Sequence, residues 1–272
     1  MVNPTTTRLL VGAEASAIGQ WQADRVFDLL CREAPHCELE TASLSGVGTL
    51  LESLQSGGID VAVCAVGSLP ACLPEGLDIN AWLPRGPVEN VLLGCSTLEG
   101  LPTNTVISVR NDLCLAQVLE HCPHAVVEVG SPDTASELRR LDAGELGALI
   151  VPRWELVALC EAHRSSTVLS PTEFLPSAGQ GVTAVLVRTG SPIHERITIG
   201  MNHATTRALT EVEQAVAAGL TELVGIFSVS VGDRLTLHGK RIDVDGTLAV
   251  TASAEGQLGD DLGARLLAAL RP

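Results

Sequence analysis

One pattern constrains the fold of this chain more than any other, and it occurs twice: strand-length segments alternate with helix-length amphipathic ones. The first copy reads RLLVGA, AIGQWQADRVFDLLCREAP, CELETASL, GTLLESLQSGG and IDVAVCAV. Ser16 stands where a helix N-cap would, and Trp21, Val26, Leu29 and Leu30 give the first helix one apolar face. Pro35 lies just beyond its end. IDVAVCAV is apolar almost throughout, which predicts a strand buried on both faces. The order β-α-β-α-β predicts a parallel, doubly wound sheet. The second copy runs through TVISV, LCLAQVLEHC, AVVEVG, TASELRRLDAGE and LGALIVP.

LPRGPVEN, with two prolines and a glycine, is the expected hinge between the copies, and VTAVLVRTG adds a further strand. From Asn202 the pattern changes to an Ala-rich helix, three strands with DG turns, and a final helix. The predicted class is α/β, with two doubly wound lobes arranged as in bilobal, periplasmic-type binding proteins, plus a small α+β C-terminal domain. The expected boundaries are 1–86 with 183–201, then 87–182, then 202–272. Such lobes bracket a ligand cleft in enzymes and binders alike, so function has to be read from side chains.

Composition removes several classes. The net charge is −15, from 17 basic and 32 acidic residues, which repels nucleic acid and anionic membranes. Only 2% of residues are aromatic and there is no Tyr, so platforms for stacking bases are missing too. Apolar runs such as GALIV and VTAVLV stop far short of the roughly 20 residues of a bilayer span. The N-terminal stretch lacks a basic start and a long apolar segment, so a cytoplasmic location is expected. The eight cysteines all lie at or before Cys160 and none has CxxC spacing. No metal site is expected, and the thiols read mostly as small core hydrophobes.

LPSAGQGVTAVLVR, Leu175 to Arg188, resembles the LPAxGQGxxxxxxR segment of the porphobilinogen deaminase (hydroxymethylbilane synthase) family. Other segments agree in order. ASAIGQWQADRV resembles SxLAxWQA, and IDVAVCAVGSLPACLPEGL resembles xDIAVHSxKDVPxxxPxGL. ELRRLDAGELGALIVPRWEL resembles RLxKLDxGEYDAIILAxAGL, and MNHATTRALTEVEQA resembles xNHxxTxxxVxAERA. The resemblance implies a three-domain fold and an enzyme that joins porphobilinogen units with loss of ammonia. It also implies a dipyrromethane cofactor held by a cysteine thioether, an Asp that moves protons, and arginines and lysines that hold substrate carboxylates.

Position by position, the resemblance places Ser68 at the catalytic Asp, Gly67 at the neighbouring Lys and Cys64 at the His. A neutral hydroxyl cannot take over from a carboxylate that protonates and stabilises a cationic intermediate. Leu220 stands at the cofactor cysteine, and no cysteine follows Cys160, so no dipyrromethane is expected. Glu14, Leu113, Cys114, Ser131 and Glu137 stand at arginine positions, and Arg110 reaches one only with a slide of about a helical turn. The family's glycine- and lysine-rich loop has no counterpart, because ETASLSGVGTLLESL crosses directly from strand to helix.

The expected function is therefore a deaminase-like scaffold without the polymerising chemistry, kept as a small-ligand or protein-binding module in tetrapyrrole metabolism. The cleft candidates are Ser16, Cys64, Ser68, Ser108, Arg110, Asn111, Ser131 and Thr134. The expected ligand is small, polar, and neutral or singly anionic, and a tetrapyrrole-pathway enzyme is the alternative partner. Two other readings stay open: an altered enzyme with Cys64 as nucleophile and His203 as base, and an authentic hydroxymethylbilane synthase.

Overall fold

The computed structural model describes residues 7–33, 35, 37–70, 72–98, 100–101, 104–164, 166–191, 200–257 and 259–271. In chain order the first elements are β1 (Thr7–Glu14), α1 (Ala17–Glu33), β2 (Cys37–Leu44), α2 (Val47–Ser56), β3 (Val61–Ala65) and β4 (Leu77–Trp82). Then come β5 (Asn90–Leu93), β6 (Val106–Val109), α3 (Asp112–His121), β7 (Val126–Val129), α4 (Thr134–Asp142), β8 (Ala148–Pro152) and α5 (Arg153–Ala158). The rest are β9 (Ser166–Val168), β10 (Thr183–Arg188), α6 (Ala204–Ala218), β11 (Leu223–Val231), β12 (Arg234–Ile242), β13 (Ala249–Gln257) and α7 (Leu262–Leu270). The chain divides into two compact units, Met1–Arg85 with Gly181–Ala208, and Gly86–Gln180 with Leu209–Pro272.

The first unit is built on a five-stranded sheet of order β2-β1-β3-β10-β4. Strand alternation sorts its apolar residues onto two faces. Val61, Val63, Val185 and Val187 point to the side where α1 packs Val26 and Leu30. Ala62, Cys64, Ala184 and Leu186 point to the other, where α2 packs Leu50, Leu51 and Leu54. A strand covered on both faces needs no polar side, which is why β3 reads as a continuous apolar run. Each fully buried leucine contributes about 2 kcal/mol of transfer free energy. Gly57, at φ 83, ends α2 in the left-handed conformation that glycine adopts at least cost. Arg188, the last residue of the LPSAGQG-led segment, clamps the turn that follows. Its guanidinium donates to the carbonyls of Leu54 (2.8 Å) and Ile59 (2.6 Å) and reaches Asp60 at 3.4 Å.

The β-α-β-α-β stretch is parallel as expected, and the added strand makes the sheet mixed. β1 runs parallel to β2 and β3, but β10 is antiparallel to both β3 and β4. Strand direction is not carried by hydrophobic periodicity, which is the same read either way. The direct crossing after β2 is present, with only Ser45 and Gly46 between β2 and α2.

The second unit has a related order, β7-β6-β8-β5-β9, with the antiparallel strand β5 again in fourth place but first in the chain instead of last. Ala148 and Ile150 of β8 face a core that includes Cys114 and Val118 of α3. Leu149 and Val151 face Leu138 of α4 and Leu156 of α5. A separate antiparallel sheet, β11-β12-β13, is covered by Leu209 and Val216 of α6 and by Leu262, Leu266 and Leu270 of α7. It groups with the second unit because Leu113 and Ala116 of α3 pack on Ile242. Lys240, nearly buried, donates to Glu120 (2.9 Å) and to the Glu173 carbonyl (2.8 Å). No helix among the described residues is long and apolar enough to cross a membrane.

Candidate functional site

The residues singled out from the sequence fall at strand ends and helix starts of both units, and the two units treat them differently. In the first unit, the Ser16 hydroxyl accepts the Gly19 amide at 3.0 Å and caps α1, as expected of an N-cap. Cys64 has no exposed surface and packs in the apolar core beneath α2. Burial, and then the nearby Glu14 carboxylate, push its thiol far above the usual range. It is neither a cleft-lining group nor an activated nucleophile, because a reactive thiol requires exposure and a lowered pKa. His203 accepts the Thr206 amide at 3.2 Å and pairs with its hydroxyl at 2.8 Å, which places it at the start of α6 as a capping residue.

β3 runs into a 3-10 turn, Val66–Ser68, held by the Val66 amide on the Val182 carbonyl (2.9 Å) and the Leu69 amide on Val66 (3.1 Å). Gly67 and Ser68 are exposed on this turn. A Cβ built at Gly67 meets nothing within 4 Å, so the fold does not demand glycine there. The turn presents one hydroxyl and no charge.

The second unit spends its polar residues on internal partners. Ser108, at the end of β6, is fully buried and donates its hydroxyl to Glu137 Oε2 at 2.5 Å. The Ser131 amide donates to Glu137 Oε1 at 3.1 Å, and Arg140 Nη1 reaches both oxygens, at 3.3 and 3.1 Å. Burial alone would raise the Glu137 carboxyl, but the bonds from Ser108, Ser131 and Arg140 outweigh it and hold it below its usual range. Thr134, also fully buried, donates to Glu155, which ion-pairs with Arg110 at 3.3 Å. Burial raises the Glu155 carboxyl, opposed by Arg110 and Thr134. Arg110 also donates to the Pro132 carbonyl.

Asn111 caps α3 by accepting the Cys114 amide (3.0 Å) and donates to Ser177 (3.1 Å). Beside them lies a pocket of about 330 Å³, between the start of α3 and the start of β11 at Glu222 to Val224. Leu220 precedes it, packed against the apolar core under the three-stranded sheet. Ser108 and Thr134 were expected to line a solvent-facing cleft, yet neither has exposed surface. A buried hydroxyl in a low-dielectric interior needs a fixed partner, and here that partner is a carboxylate.

Glu155 and Glu213 were not singled out from the sequence. Glu213 is fully buried on α6 and accepts the Gly179 amide (2.8 Å), the Ser228 amide (3.1 Å) and the Ser228 hydroxyl. It ties the AGQG loop, where Gly179 has φ 71, to β11. The available signal was phase: each carboxylate stands where its helix should present an apolar residue.

The fold and these strand ends define a class: α/β proteins of two similarly ordered mixed sheets, whose ligand chemistry is set by the residues after the strands. Residues 9–195 match the family model described as porphobilinogen deaminase, dipyromethane cofactor binding domain. The chain belongs to the porphobilinogen deaminase family. It is 27% identical to the porphobilinogen deaminase of Chromobacterium violaceum, over 92% of this chain and 89% of that one. It is 28% identical to that of Acidithiobacillus ferrooxidans, over 96% and 94%, and 26% identical to a probable porphobilinogen deaminase of Methanocella arvoryzae, over 87% and 85%. Among solved structures, a sulfate-bound mutant form of the OxyR2 regulatory domain from Vibrio vulnificus covers 78% of this chain and 98% of its own. It does so at 17% identity and TM-score 0.49, too distant to bear on function.

The match overturns the expectation that no dipyrromethane is involved. The matched domain is described by that cofactor, so the family assignment points to it. The expectation rested on Leu220 at the attachment position and on the lack of any cysteine after Cys160, a stretch that lies mostly beyond the matched residues 9–195. The side chains at the second unit's strand ends do not fit a carboxylate-bearing group as they stand. Arg110 is engaged by Glu155, and Arg140 by Glu128, Glu137 and Glu145.

Proposed function

We propose that this member of the porphobilinogen deaminase family does not polymerise porphobilinogen and serves as a binding module on the retained scaffold. The observation that carries this is the exposed turn after β3. The resemblance puts an acid and an ammonium at Ser68 and Gly67, and the turn holds a hydroxyl and a bare backbone. General-acid catalysis requires a group that exchanges a proton near working pH, and an unactivated serine hydroxyl does not. The open space around Gly67 supports a loss of function rather than a packing constraint, because a longer side chain meets no obstacle.

A second reading, an active hydroxymethylbilane synthase, is favoured by the names of the relatives at 26–28% identity over most of the chain. The two separate in one assay. Protein expressed in a porphobilinogen-producing host and purified is incubated with porphobilinogen, and ammonia release is followed. The expected outcome is a rate equal to the buffer blank; turnover by the unaltered chain establishes the second reading. As a binding module, the protein is expected to gain thermal stability from one member of a panel containing porphobilinogen, haem-pathway intermediates and small carboxylates. A flat response to the whole panel favours a protein partner, sought among tetrapyrrole-pathway enzymes in the cytoplasm.

A further inference from the structure

The second unit holds a carboxylate cradle of three donor groups making four contacts, and what fills it is a side chain of the protein itself. Ser108 Oγ, the Ser131 amide and two approaches of Arg140 Nη1 converge on the two oxygens of Glu137. The donors come from separate places: the end of β6, the turn after β7 and the last turn of α4. Ser108 has no exposed surface and Glu137 only 3%. The walls are fitted to the carboxylate as well. A Cβ at Gly130 would collide with Ser108 Oγ and the Glu137 carboxylate, and would lie 2.7 Å from Glu137 Cδ. Glycine is required here by closeness to that group.

Ordinary capping does not account for this set. A capping glutamate in the first helical turn satisfies one or two backbone amides at the helix start. Glu137 takes one amide, a buried strand-end hydroxyl and a guanidinium, the mixture that receives a free carboxylate at the ends of parallel strands. Arg140 is further anchored by Glu128 (2.7 Å) and Glu145 (3.4 Å), so the cation stays in place whether or not Glu137 is present.

We infer that the strand ends of the second unit form a binding site for a small monocarboxylate that the Glu137 side chain occupies from within. Free carboxylates enter only when that side chain is absent. Three donors would be stranded by its removal, one of them a fully buried hydroxyl, and a stranded buried donor is costly. A formate or acetate ion of matching shape restores the same bonds. Resting on the reading that this chain is a binding module without the polymerising chemistry, the inference is tested by anion binding to a variant, not by turnover, so either can fail alone.

The experiment is thermal unfolding of Glu137→Ala in sodium formate, sodium acetate and sodium chloride at equal ionic strength, beside the unaltered protein. Glu137→Ala is expected to melt lower and to recover saturably in formate, by roughly 3 °C at about ten times its apparent Kd. Chloride should not match this, and the unaltered protein should show no comparable rise. Adding Ser108→Ala should abolish the recovery. Glu137→Gln, which fills the space with an amide, is expected to fold and to ignore formate. The inference is overturned if folded Glu137→Ala responds no more to formate than to chloride, or if Glu137→Gln or the unaltered protein responds equally. Should Glu137→Ala fail to fold, refolding from urea decides: recovery of folded protein with formate alone supports the inference, and failure in both salts overturns it.

Discussion

In the first unit the turn after β3 ends on Gly67 and Ser68, exposed and uncharged, whereas the strand ends of the second unit close around Glu137 and Glu155, both buried. Both sheets hold three parallel strands followed by an antiparallel one in fourth place, with helices on both faces. Position 67 has open space and can lose or gain a side chain freely. The Ser108 and Thr134 hydroxyls of the second unit are fully buried, and each has an internal carboxylate acceptor. An exposed site can lose its charged groups by truncation alone. A buried one has to be rebuilt around new partners, and those partners then hold the fold.

The sharpest way to break this comparison is Glu155→Ala. It leaves the buried Thr134 hydroxyl without its acceptor and Arg110 without its carboxylate, and a loss of about 3–5 kcal/mol is expected in urea unfolding. Glu155→Gln should cost clearly less, since burial already favours the uncharged acid at this position. Equal losses would show that shape and not charge sets the stability.

Glycine positions give the next contrast. Gly130→Ala forces a methyl group into Ser108 and Glu137, with an expected cost of about 1–3 kcal/mol by denaturant titration. Gly67→Ala should change stability by less than about 1 kcal/mol, because nothing lies in the way and the unfolded chain loses freedom.

Acid titration separates the two carboxylates. Glu137 is held below its unfolded value, so the unfolded state binds more protons between the two values. Its contribution is complete above an unfolded carboxylate value of about 4.3 and is lost as pH falls through the folded value. Glu155 is raised, so its effect runs the other way: it is most favourable at low pH and is lost as pH rises through the folded value. Glu137→Gln should flatten the acid side of the urea midpoint against pH, and Glu155→Gln the side above it. Parallel curves for the two variants would remove the distinction. The smallest effect is expected for Gly67→Lys with Ser68→Asp, within about 0.5 kcal/mol of the unaltered protein, as for surface changes that touch nothing.

Most elements were legible in the sequence because their signals are local. The helix after Ser16, the strand CELETASL and the two-residue crossing after Leu44 stand where apolar phase and capping put them. The direction of β10 was not legible, since an apolar run has no polarity. Nor was the grouping of the three-stranded sheet with the second unit, which depends on Ile242 meeting Leu113 and Ala116 more than 120 positions away.

The candidate site divides along the same line. The sequence alone determined which groups the chain has: a serine at 68, no side chain at 67, a leucine at 220 and no cysteine after 160. Residue identity is a covalent fact, and Ser68 and Gly67 are the part of it on which the proposed function rests. Only the tertiary structure decided what the remaining polar residues do. Ser108 meets Glu137 across 29 positions, and Thr134 meets Glu155 across 21. Hydrogen bonds are short-ranged and directional, so such partners exist only once strand ends and helix starts have been brought together. The same geometry turned expected ligand-binding hydroxyls into internal donors and left an exposed turn as the first unit's open polar feature.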